Sequence, residues 1–123
     1  MRVLGIESSC DETSAAVVSG SGDQVQADSL VILSQDVHRI FGGVVPEIAS
    51  RAHLTAIVPV TRQALADAGL PPSGAGIDAI SVTHAPGLVG ALLVGVAYAK
   101  ALGATLQVPV IGAHHMEGHL FAT

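Results

Sequence analysis

An α/β fold in the order βββ-α-β-α-β-(α) is what the amino-acid sequence predicts, and three observations predict it. Half of the 123 residues are apolar and only 12% are charged, so most aliphatic side chain belongs in a packed core rather than in water. Before Gln35, three apolar runs are joined by short polar turns, which is the pattern of a strand meander. After it, runs of strand length alternate with longer stretches at helical spacing. The length suits one domain or part of one, taken as residues 1–123.

Arg2 to Ser8 reads as the first strand, with Val3, Leu4 and Ile6 supplying its apolar run, and Thr13 to Ser19 as the second. Ser9-Cys10-Asp11-Glu12 forms a polar knot between them. After the Gly20-Ser21-Gly22-Asp23 turn, Gln24 to Ser34 begins as a polar and apolar alternation and reads as a third, antiparallel strand. Phe41 to Pro46 is a glycine-bearing loop. Pro46 suits a first helical position, with Glu47 beside the positive end of the helix dipole. The helix is expected to run to about Ala68, with Leu54, Ile57, Val58, Thr61, Leu65 and Ala68 on one apolar face, a kink or interruption at Pro59, and a stop at Gly69. Ile77 to Thr83 has the period-two pattern of a strand, and His84-Ala85-Pro86-Gly87 turns the chain into an apolar helix, Leu88 to Leu106. Along it Gly87, Ala91, Gly95, Ala99 and Gly103 recur every fourth residue, so one face permits close backbone approach. Val108 to Ala113 is a last short strand, and His114 to His119 opens another helix.

Ten acidic residues outnumber five basic ones, a net charge of −5, so a broad basic surface for gripping phosphate backbones is missing. Any nucleic acid is held mainly elsewhere. The single cysteine, Cys10, has no partner for an internal disulfide or a zinc ribbon. With Glu7 arriving too early for a signal-peptide core, the expectation is a cytoplasmic, unprocessed protein. The apolar helix loses its uncharged run at Lys100, short of the roughly 20 apolar residues of a membrane crossing, so a buried helix is expected and no membrane.

His115 and His119 are the sharpest local signal. Four residues apart on a helix, their imidazoles project from one face and can bind one metal ion. His114 is rotated away and packs or hydrogen-bonds separately. In zinc proteases the helix reads H-E-x-x-H; here Glu117 stands one position later, turned about 100° around the helix, so that motif is not satisfied. A metal held by two imidazoles still lacks a protein ligand, and Asp11, Glu12, Glu117 or a residue beyond Thr123 are the candidates. Ser9-Cys10-Asp11-Glu12-Thr13 either holds a phosphate or orients a metal or water, or is a solvated hairpin turn. Cys10 has no base assigned to it as a nucleophile. The N-terminus of the helix after Gly87 offers N–H groups to an anion, and Ser50-Arg51-Ala52-His53 reads as an exposed helix face.

The element order resembles the ribonuclease-H-like lobe of the actin, sugar-kinase and chaperone-ATPase (ASKHA) superfamily. More specifically, GIESSCDETS (Gly5 to Ser14), FGGVVPEIASRAH (Phe41 to His53), HAPGLVGALLVG (His84 to Gly95) and HHMEGHL (His114 to Leu120) together resemble the amino-terminal lobe of the tRNA threonylcarbamoyladenosine transferases, the TsaD or Gcp family once described as O-sialoglycoprotein endopeptidases. The match runs in order over the whole chain. It implies a two-lobed enzyme that transfers threonylcarbamoyl from threonylcarbamoyl-adenylate to N6 of adenosine 37 of tRNA. It implies one divalent metal, usually iron and sometimes zinc, on His115 and His119, with a third ligand from the second lobe, which is absent from this chain. Asp11 and Glu12 match an acidic loop facing the same cleft and are the catalytic candidates, with Ser9 the candidate for substrate binding.

The resemblance also implies tRNA as substrate, and as partners a TsaB-like paralogue and a TsaE-like ATPase docking on the helical surfaces; a homodimer of the chain through the same surface is a further expectation. Ser8 and Ser14 stand where many members have Thr and Gly, and Ala85 replaces a glycine. The chain alone is expected to lack transferase activity and to bind metal poorly. Three other classes compete: a non-catalytic TsaB-like scaffold, against which the histidine pair argues; a metalloprotease, against which the displaced Glu117 argues; and an ATPase or sugar kinase, which needs phosphate and sugar residues that lie outside this chain.

Overall fold

The dense apolar run Val3-Leu4-Gly5-Ile6 builds β1 (Arg2–Glu7) at the centre of a five-stranded sheet. On one side β1 pairs antiparallel with β2 (Glu12–Ser21), which pairs antiparallel with β3 (Gln24–Ser34). Gly22, at φ +62°, supplies the left-handed residue of the tight turn between them. On the other side β4 (Ala79–Ala85) lies parallel to β1, and β5 (Val110–His114) parallel to β4, giving the order β3-β2-β1-β4-β5. The structure is a computed structural model and describes residues 1–121.

Alternation along the strands divides the sheet. Leu4 and Ile6 of β1, Ala15 and Val17 of β2 and Ile80 and Val82 of β4 are buried on one face. Two helices cover that face. α1 (Pro46–Asp67) packs on β2 and β3, α2 (Val89–Leu106) packs chiefly on β4 and also touches β1 and β5, and the two helices pack on each other. The opposite face, floored by Gly5, Ser14, Ala16, Ser81 and Ala113, forms a shallow recess of about 260 Å³.

The element order matches the expectation from sequence, with strand ends shifted by up to two residues. A short 3-10 helix, Asp36–Phe41, was not foreseen; its turn closes where His38 is buried and accepts the Val45 N–H on Nδ1. The inward face of α1 differs from the expected one. Ala49, His53, Ala56, Ile57, Val60, Thr61, Ala64 and Leu65 are buried, whereas Leu54 is 64% exposed and Val58 also faces out. Small residues let α1 lie close to the sheet, and that closeness, rather than side-chain size, sets which face is inward. Nor does Pro59 interrupt the helix: it lies on the solvent side, and α1 runs continuously through it. There the carbonyl that loses its amide partner can bond to water.

The small-residue stripe of α2 packs tightly on the sheet. Ala91 and Ala99 are fully buried, and a Cβ on Gly95 would stand 2.5 Å from the Ser8 hydroxyl. By length and composition α2 could cross a membrane, with a mean hydropathy of 1.6. Here it is the crossover between adjacent parallel strands β4 and β5, which brings it back onto the sheet.

Candidate metal centre

At the carboxy-terminal end of β1 the chain leaves the sheet as Glu7-Ser8-Ser9, and these three residues tie the site together. The Ser8 hydroxyl inserts into α2, donating to the Ala91 carbonyl at 2.7 Å and accepting the Gly95 N–H at 3.2 Å. The Ser9 carbonyl accepts the Leu88 N–H at 2.8 Å. Gly87 permits that approach, because a Cβ there would lie 2.6 Å from the same carbonyl oxygen. One of the amides at the start of α2 is thus taken up by the chain itself. Ser8 and Ser9 are buried, whereas Cys10 and Asp11 are half-buried and Glu12 is exposed, so the polar knot is clamped between α2 and the sheet at its start and reaches solvent at its end.

From the other side, His53 of α1 clamps the same segment. Its side chain is fully buried, against the expectation of an exposed Ser50 to His53 face. Nε2 donates to the Cys10 carbonyl at 2.7 Å, and Nδ1 accepts the Thr13 hydroxyl at 2.7 Å. Each ring nitrogen therefore has a partner of the right polarity, which is what makes a buried neutral imidazole tolerable. The loop Cys10-Asp11-Glu12 is held at both ends.

Strand β5 delivers α3 (His115–Phe121) beside this loop. His114 Nδ1 accepts the Glu117 N–H at 3.3 Å and so caps the first turn of α3, the separate role expected for it. His115 and His119 lie one turn apart with Nε2 atoms 3.1 Å apart and rings nearly perpendicular. Two nitrogens each about 2.0–2.1 Å from one ion stand about 2.9 Å apart at a right angle and about 3.3 Å apart at a tetrahedral angle. The pair as folded spans the distance that two donors to a single ion require, and imidazole suits iron or zinc.

Glu7, which sequence reasoning passed over, lies behind the pair. Its Oε2 accepts from His115 Nδ1 at 3.1 Å and from the Thr83 hydroxyl at 2.6 Å, and its Oε1 from the Ser9 N–H at 2.5 Å. Burial pushes the Glu7 carboxyl up, but hydrogen bonds from Ser9, Thr83 and His115 outweigh it and hold the group below the usual carboxylate range. A carboxylate ending an otherwise apolar strand was the only sequence signal for it.

The structure gathers the sequence-predicted site residues. Ser9, Asp11, Glu12, His115 and His119 line one recess of about 310 Å³, together with Glu7 and Cys10. Among the described residues no cluster of three metal-ligating side chains forms. The Ser9 hydroxyl lies 3.4 Å from His115 Nδ1. Glu117 is exposed and does not line the recess, so the position a zinc protease gives its general base is not filled by it. Burial, and then the neighbouring Asp11 carboxylate, push the Cys10 thiol up, which lowers its thiolate fraction and argues against a nucleophilic role.

A family profile described as TsaD, tRNA N6-adenosine threonylcarbamoyltransferase, matches residues 28–123. The chain is 64% identical over its whole length to a tRNA N6-adenosine threonylcarbamoyltransferase of Gemmatimonas aurantiaca, and 61% identical over 98% of its length to one of Moorella thermoacetica. It spans 34% of the length of each of these relatives. Among solved structures, YeaZ from Pseudomonas aeruginosa aligns over 92% of this chain and 42% of its own with a TM-score of 0.66 at 18% identity. RuvC of T. thermophilus in complex with a Holliday junction substrate aligns over 99% of this chain and 72% of its own, with a TM-score of 0.58 at 12% identity. At such identities these two share the fold alone, and the expected ribonuclease-H-like α/β class holds.

Proposed function

The chain belongs to the tRNA N6-adenosine threonylcarbamoyltransferase (TsaD) family, and on that premise we propose that it is the amino-terminal, metal-holding lobe of an acyltransferase acting on tRNA. In the proposed reaction N6 of adenosine 37 forms a bond to the carbamoyl carbon of threonylcarbamoyl-adenylate. The bond from that carbon to the phosphate oxygen breaks, AMP leaves with the bonding pair, and N6 gives up one proton. What carries this reading is the convergence of the two imidazole nitrogens, 3.1 Å apart, in a recess that also holds the acidic loop.

His115 and His119 would hold one divalent cation, iron or zinc, completed by a ligand from a second lobe. When bound, the cation supplies Lewis-acid polarisation and a template for the transferred group. Asp11 and Glu12 present carboxylates to the same recess and are assigned to accept the N6 proton. Ser9 forms part of the wall against which the substrate lies. The main tRNA grip lies outside this lobe in this proposal, which the net charge of −5 supports. The proposal includes a TsaB-like paralogue and a TsaE-like ATPase as partners, a homodimer of the chain alone, and a cytoplasmic location.

The test is incorporation of labelled threonine into tRNA, with the activating enzyme and partner proteins supplied. The chain alone, the chain extended by the remaining length of its relatives, and the extended form with His115→Ala are compared. Activity in the extended wild type alone supports the reading. Equal activity with His115→Ala overturns the metal role, and no activity in any form favours the scaffold.

A further inference from the structure

Glu7 is a carboxylate that accepts three hydrogen bonds from the protein: the Ser9 N–H on Oε1, the Thr83 hydroxyl and His115 Nδ1 on Oε2. Thr83 belongs to β4 and His115 to α3, so the Glu7 side chain is the point where three elements meet the histidine pair. With Oε2 taken by two donors and Oε1 by one, the oxygen that faces His115 has no lone pair left for a cation, so Glu7 is better placed to orient His115 than to act as a ligand itself.

We propose that Glu7 is a positioning residue that acts through His115, fixing its ring and its tautomer so that the Nε2 lone pair faces His119 and a cation between them. This inference rests on the proposed metal site. An ionised carboxylate only accepts hydrogen bonds, so the atom opposite Oε2, Nδ1 of His115, carries the proton. Neutral imidazole has one N–H, which leaves Nε2 of His115 as an acceptor. In the metal-free protein that lone pair accepts from Nε2–H of His119, 3.1 Å away. When a cation enters, only His119 shifts its proton to Nδ1, while His115 is already in the binding form.

Glu7→Gln keeps the shape and inverts the polarity of one atom. If its NH2 takes the Oε2 place it opposes Nδ1–H and drives His115 to the Nε2–H form. If it takes the Oε1 place it opposes the Ser9 N–H. Nothing in a purely structural role for Glu7 predicts a change of tautomer. Removal of such a carboxylate partner lowers metal affinity about 10- to 100-fold where it has been the orienting group of a ligating histidine.

Two measurements decide it, the second on the chain extended by the remaining length of its relatives, because the chain alone is expected to bind metal poorly. Ring 15N shifts of metal-free protein read the tautomer directly: His115 with Nδ1 protonated is expected, and Nε2 protonated in the wild type overturns the proposal without any variant. Calorimetric titration with Zn(II) then compares wild type, Glu7→Gln and Thr83→Val, the last removing a donor to Glu7 but not the contact to His115. A 10- to 100-fold weaker Zn(II) affinity in Glu7→Gln, with Thr83→Val within about threefold of wild type, supports it. Equal loss in both variants, or none in Glu7→Gln, overturns it. Failure of the metal reading shows separately, as wild type binding Zn(II) no better than the chain with both His115→Ala and His119→Ala.

Discussion

Replacing His53 by alanine tests whether the acidic loop is held from α1. The ring is fully buried, and both nitrogens make 2.7 Å hydrogen bonds, to the Thr13 hydroxyl and the Cys10 carbonyl. Removing a buried side chain of this size costs about 2–5 kcal/mol in lost packing and residual cavity. Each buried polar group left without its partner adds about 1–3 kcal/mol. Thr13 is fully buried and loses its partner outright, whereas Cys10 is only partly buried, so water reaching its carbonyl recovers much of that share. The expected net loss is about 4 kcal/mol, a large part of the roughly 5–15 kcal/mol that a domain of this kind possesses. Urea unfolding followed by circular dichroism measures it. In the same assay Thr13→Val should cost at least about 1 kcal/mol less when His53 is already gone, because the two groups share one bond. A loss below about 1 kcal/mol for His53→Ala, or strict additivity with Thr13→Val, would refute the clamp.

Three further outcomes follow from the packing and charge of the same region. Gly95→Ala should destabilise the chain by about 1–3 kcal/mol, since its Cβ meets a Ser8 hydroxyl already bonded to Ala91 and Gly95; adding Ser8→Ala should recover part of that, and a denaturant series on both variants shows whether it does. Pro59→Ala should raise the urea midpoint by an amount worth about 1–3 kcal/mol, because it restores an amide to the ladder of an uninterrupted helix. Because burial and Asp11 push the Cys10 thiol up, its thiolate is scarcer than that of free cysteine at every pH below the titration. Iodoacetamide should therefore react more slowly than with free cysteine at pH 7, with half-maximal rate above about pH 8.5, and faster in Asp11→Asn.

Much of the fold could be read in advance, because hydrophobic period is a local property: the alternation from Gln24 and the helical spacing after Pro46 each identify an element without reference to the rest. The pairing of His115 with His119 was legible for the same reason, being set by the pitch of one helix. Glu7 and His53 were not. Glu7 gains its meaning only when the order β1-β4-β5 brings Thr83 and α3 to the end of β1, a relation across 76 and 108 residues of sequence. His53 was misread because the large residues Leu54 and Val58 drew the inward face of α1 toward themselves. The small residues Ala49, Ala56, Val60 and Ala64, which share the buried face with His53, were the signal that could have located it. A helix seated closely on a sheet buries its small side, and a polar residue on that side must then find partners.

His115 and His119 act as one pair of donors, and the most direct measurement is the ring 15N spectrum of the chain with Zn(II) in large excess, which offsets the weak binding expected without a third ligand. The chain has six histidines. Coordination shifts at Nε2 of His115 and His119 together, with His38, His53, His84 and His114 unmoved, are the predicted result. Shifts at only one of the pair, or at His84 or His114 instead, would contradict it.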